Sequence, residues 1–126
     1  MEGRTEMEAN DFQTASRRTY PDTGSSLIHG VFGLTSEAGE VAGILQKVYQ
    51  GHPLDCGHLV SECGDCLWMI CEILDAIDFT LEECMQMNMD KLRKRYPDGF
   101  DPERSLHRAV RRTTSGSDSV EAVSDD

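Results

Sequence analysis

No run of apolar residues in this chain is long enough to span a bilayer, and Met1-Glu2-Gly3-Arg4-Thr5-Glu6 lacks the charged and apolar regions of a signal peptide. A cytoplasmic protein without a membrane partner is the expectation. Positive charge is scarce. Twelve Lys and Arg against 23 Asp and Glu leave a formal charge of −11, which argues against a general affinity for nucleic acid or anionic lipid. The five cysteines, Cys56, Cys63, Cys66, Cys71 and Cys84, are odd in number, so a complete disulfide framework does not suit a monomer. No segment reads as a convincing strand, and no internal repeat is found. At 126 residues the chain fits one domain that buries roughly two-thirds of its unfolded surface.

What is present is helical periodicity. A first helix is expected over about Asn10 to Tyr20, with Phe12, Ala15 and Thr19 on one face and Pro21 beyond its end. A second opens near Ser25 or Ser26 and spaces Leu27, Val31, Leu34, Ala38, Val41, Leu45 and Val48 like a bundle seam. Gly33, Gly39 and Gly43 fall inside it. Each costs a helix about 1 kcal/mol relative to Ala, which calls for close helix packing or close ligand approach. Asp55 caps a third helix whose buried side is expected at Leu59, Cys63, Cys66, Ile70, Ile73 and Ile77. Thr80 and Glu83 form a capping box for a fourth, which runs to about Tyr96 with Met85, Met89 and Leu92 as its apolar stripe. Phe12, Phe32 and Tyr49 are expected in the core. His29 has no obvious partner and reads as a structural histidine. The architecture expected is all-α, a four-helix bundle over residues 1–105, followed by a disordered polar tail over 106–126.

Two carboxylate pairs stand out against this frame: Glu37-x-x-Glu40 in the second helix and Glu62-x-x-Asp65 in the third. Residues three apart on a helix share a face, so each pair can aim two oxygens at one point. Packing the two helices together gathers four acids in one cleft, which is costly without a cation. Mg²⁺, with Mn²⁺ as a substitute, fits because hard ions take oxygen ligands and also hold substrate phosphates. Cys63-Gly64-Asp65-Cys66, with His52, Cys56 and His58 upstream, raises a zinc or redox site. The helical spacing of the cysteines and the lack of a second such pair favour free, packed thiols. Lys91, Arg93, Lys94 and Arg95 crowd the end of the fourth helix, where one or two can face a phosphate and the rest are solvated. Trp68 suits either base stacking or the core.

Three blocks, Gly33-Leu34-Thr35-Ser36-Glu37-Ala38-Gly39-Glu40-Val41, Glu62-x-Gly64-Asp65-x-Leu67-Trp68 and Asn88-x-x-Lys91-Leu92-Arg93-Lys94-Arg95-Tyr96-Pro97-Asp98-Gly99-Phe100, together resemble the MazG-like nucleotide pyrophosphohydrolases of the all-α nucleoside triphosphate pyrophosphohydrolase superfamily. The resemblance runs from about Phe12 to His107. It implies Mg²⁺-dependent cleavage of a nucleoside triphosphate between the α and β phosphates, giving a monophosphate and pyrophosphate. Glu37, Glu40, Glu62 and Asp65 are then the metal ligands, with Glu37 or Glu40 as general base, and Asn88, Lys91, Arg95 and Tyr96 contact the substrate. A homodimer or dimer of dimers is also implied. The chain departs from the fuller motif at Ser36, where the family has a further Glu, so the number of metals held and the identity of the base stay open. Two other readings compete: a non-catalytic acidic helical interaction module, and an enzyme like the phosphoribosyl-ATP pyrophosphohydrolases.

Overall fold

The computed structural model describes residues 6–22 and 24–114, and within them the chain is all-α. Five helices follow one another: α1 (Ala9–Arg17), α2 (Ser26–Tyr49), α3 (Cys56–Ala76), α4 (Leu81–Arg95) and α5 (Pro102–Thr114). No described helix is long and apolar enough to cross a membrane. Packing divides the chain into two compact units, one up to Glu82 and one from Glu83 onward.

In the first unit the helix ends follow local chemistry. Ser25 caps α2 by accepting from the Ile28 amide at 3.3 Å, and Asp55 caps α3 by accepting from the His58 amide at 3.0 Å. Gly51, at φ 102°, ends α2: its amide donates to Val48 O, and the His52 amide donates to Lys47 O. Asp78 ends α3 in the same way at φ 60°, with its amide on Asp75 O and that of Phe79 on Leu74 O.

Helices α2 and α3 run antiparallel, with Gly30 opposite Ile73 and Gly33 opposite Met69. A Cβ on Gly30 would lie 3.1 Å from the Ile73 amide nitrogen and 3.3 Å from the Met69 carbonyl oxygen, and one on Gly33 would collide with the Met69 sulfur. Close packing therefore accounts for Gly33, whereas Gly39 and Gly43 face open space.

The faces differ from those the periodicity predicts. Helix α2 turns Gly30, Gly33 and Glu37 toward α3, so the predicted seam sits at the edge of the contact and Leu27, Val31 and Leu45 remain more than 40% exposed. Phe32 and Tyr49, expected in the core, are on the surface at 71% and 94% exposure, and Phe12 is half-buried. Helix α3 contacts α2 along Met69 and Glu72 and α1 along Trp68 and Asp75, so Cys71 is fully buried while Cys63 and Ile77 are exposed. In the second unit, Met85, Met89 and Leu92 are likewise exposed.

Helix α1 buries Gln13 and Ser16 in place of the expected Phe12, Ala15 and Thr19, because its contact with α3 is polar. Asp75 accepts from Gln13 Nε2 at 2.9 Å, from Arg17 Nε at 3.0 Å and from the Tyr20 hydroxyl at 2.9 Å. Gln13 also donates to Phe79 O and accepts from the Leu81 amide, while Asn10 Oδ1 accepts from the Glu82 amide. The first amides of α4 are thus capped from α1. Burial, then the hydrogen bond to Asp75, pushes the Tyr20 hydroxyl up, so it remains a donor at any physiological pH.

The second unit begins within α4. Arg104 donates to the Lys94 and Arg95 carbonyls, Asp101 Oδ1 accepts from the Glu103 amide, and Pro102 occupies the first position of α5. Helix α5 runs to Thr114 and so takes in the first residues of the polar tail expected over 106–126. Residues 115–126, the rest of the expected tail, lie outside the described residues.

Candidate metal centre

The close approach of α2 and α3 sets the site. With Gly30 and Gly33 letting the backbones draw together, the next inward turn of α2 carries Glu37 and the preceding turns of α3 carry Asp65 and Glu62. One carboxylate oxygen from each lies within 4.8 Å of the others. All three side chains are only partly exposed. Glu40, one turn further along α2, is exposed and outside this group of three, although its charge still acts on Glu37.

The electrostatics are those of like charges held close together. Burial, then the charges of Asp65, Glu62 and Glu40 and a hydrogen bond with Glu62, pushes the Glu37 carboxyl above its ordinary value. A neighbour that reaches in is His58, whose Nε2 lies 3.1 Å from Glu62 Oε1. Three converging hard oxygen donors of this kind could hold a divalent cation. Cys66 lies close enough to feel the same acids. Burial first, then Cys63, Glu37, Asp65 and Glu62, raises its thiol, which keeps it protonated and a poor ligand.

Trp68 follows Asp65 by three residues on α3. Its indole N–H donates to Thr19 Oγ1 at 2.9 Å, which fixes the half-buried ring from the turn that follows α1. In the second unit, Asn88, Lys91 and Arg95 are spaced at three and four residues and share one face of α4. Tyr96, just beyond the helix, packs against Phe100 with ring centroids 5.3 Å apart.

Two polar features of the first unit escape a reading of the sequence. His29 does have a partner: its Nδ1 lies 2.8 Å from Oε2 of Glu72, a carboxylate that is wholly buried and whose Oε1 accepts no hydrogen bond among the described residues. The second is the Asp75 hub. Both join residues more than forty positions apart, and the one signal available was an acid at a position where α3 otherwise reads as apolar.

Comparison with known proteins agrees with this geometry. Residues 26–100 match the MazG nucleotide pyrophosphohydrolase domain family. The Gene 37 protein of Mycobacterium phage L5 is 28% identical over 101 residues, covering 71% of this chain and 89% of that protein. No solved structure matches. The matched span takes in α2, α3 and α4 with all three clustered carboxylates and amounts to more than half the chain, so this protein belongs to the MazG nucleotide pyrophosphohydrolase family.

Proposed function

We propose that the chain hydrolyses a nucleoside triphosphate to the monophosphate and pyrophosphate with Mg²⁺ held by Glu37, Glu62 and Asp65. The observation that carries this reading is the convergence of three carboxylates from two helices inside a MazG domain. A bound divalent ion supplies charge neutralisation at the phosphates and acidifies bound water. The chain's own groups do the rest. The natural base is a carboxylate not fully engaged with the ion, and Glu37, its proton affinity raised by burial and its neighbours, could take the proton of the attacking water through an oxygen that does not hold the metal. Glu40 is the outer acid of the set, open to solvent and able to join when substrate arrives.

On α4, Asn88, Lys91 and Arg95 supply a donor and two cations of the kind that a triphosphate tail requires, and Tyr96 follows them. The indole face of Trp68 is the stacking surface for the base, since its N–H is already satisfied. The protein acts as a homodimer or dimer of dimers. Leu27, Ile28, Val31, Phe32, Leu45 and Tyr49 leave an apolar ridge along α2 that a second copy would cover. We place it in the cytoplasm, where nucleotide pools are.

A panel of ribo- and deoxyribonucleoside triphosphates with Mg²⁺ tests the reading. At least one should release pyrophosphate, at a rate abolished by a chelator. No pyrophosphate from any of them would overturn it.

A further inference from the structure

Three carboxylates that share a small volume repel one another, and a Glu on a helix surface has three rotatable bonds through which to escape into solvent. Something must hold Glu62 inward. Its own helix provides it: His58 stands one turn before Glu62, on the side over which a helical side chain leans, with Nε2 at 3.1 Å from Oε1. An ionised carboxylate only accepts, so Nε2 carries the proton and donates it. His58 is itself anchored, because its backbone amide is bonded to Asp55 Oδ1 at the cap of α3. The ring is 54% exposed and Glu62 only 16%, so the contact faces inward from the rim of the cluster.

We propose that His58 is a positioning residue for the cation site: its Nε2–H holds the Glu62 carboxylate in the orientation in which it converges with Glu37 and Asp65. The proposal rests on the reading of those three acids as ligands. A Lys or Arg in the same place would also hold Glu62, but would neutralise it and compete with the ion. The ring N–H orients the carboxylate through one directional hydrogen bond. Partners of ligating carboxylates of this kind are typically worth 10- to 100-fold in metal affinity.

The test is Mn²⁺ binding to the full-length protein without nucleotide, followed by the paramagnetic resonance signal of the free ion. His58→Leu should weaken binding by about 10- to 100-fold. His58→Gln, whose amide can donate to Glu62 across the same turn, should restore it to within about threefold of the parent, a rescue that a merely structural role would not show. In a Glu62→Ala background, where no side chain remains for the imidazole to hold, His58→Leu should have no further effect. The two His58 variants should unfold at temperatures close to the parent's, since the ring is half in solvent. Parental affinity in His58→Leu, or no recovery in His58→Gln, would overturn the role of His58 and leave the cation site standing. Failure of the parent to take up Mn²⁺ would remove the site and this role together.

Discussion

Glu62→Gln should lower turnover by about two to four orders of magnitude and weaken Mg²⁺ binding, while the folded chain without metal becomes no less stable. The substitution keeps the shape of the side chain and an oxygen for the His58 hydrogen bond, so what it removes is one negative charge from a group of three within 4.8 Å. That charge helps hold the Glu37 carboxyl above its ordinary value, and a raised carboxyl has a definite consequence for stability. The folded state then binds the proton more tightly than the unfolded chain. Stability is lost as pH rises from the unfolded value through the folded one, and the cost stays in full above it. Removing a neighbouring charge relieves that cost, so the advantage of Glu62→Gln over the metal-free parent should grow as pH rises through this range. Saturating Mg²⁺ should reverse the order, because the ion stabilises the parent more. Calorimetric titration of Mg²⁺, thermal melts with and without it, and steady-state kinetics measure the three effects. Parental kinetics and affinity in this variant would mean that the acids are a solvated face.

The second large effect is on folding and lies away from the cluster. Asp75→Ala should destabilise the protein by about 3 to 5 kcal/mol, since it strips the charged acceptor from the buried Gln13 amide and the Tyr20 hydroxyl, bonds worth about 1.5 to 3 kcal/mol each. Both bonds are 2.9 Å long, and Gln13 is 1% exposed. Arg17 is largely in solvent, so Arg17→Ala should shift the melting temperature little. The loss in Asp75→Ala should also loosen the start of α4, whose first amides are capped by Gln13 and Asn10. Hydrogen exchange at Leu81 and Glu82 would show this as reduced protection. A melting temperature within a few degrees of the parent would show that α1 is held by something other than this hub.

Whether a feature could be read in the sequence depended on how local its cause is. The caps of α2 and α3 lie one turn from the amides they bind, and Ser25 and Asp55 act where the pattern put them. Glu37, Glu62 and Asp65 were legible because a three-residue step and an antiparallel helix pair leave few other arrangements. The buried faces were not. A 3.6-residue period tolerates a rotation of one position, and Gly30, which lies deepest in the α2–α3 contact, has no side chain to register as hydrophobic. The Gln13–Asp75 and His29–Glu72 contacts depend on tertiary packing, which no local pattern encodes. The start of α5, by contrast, had a local signal in Asp101-Pro102-Glu103, a cap followed by proline at the first helical position.

Which bond breaks is the most direct measure of the central claim. Phosphorus resonance spectra of a nucleoside triphosphate incubated with the protein and Mg²⁺ separate the alternatives in one tube. Monophosphate and pyrophosphate should grow together from the start, and a chelator should stop both. Orthophosphate appearing with a nucleoside diphosphate, or cleavage that continues undiminished in the chelator, would contradict the account.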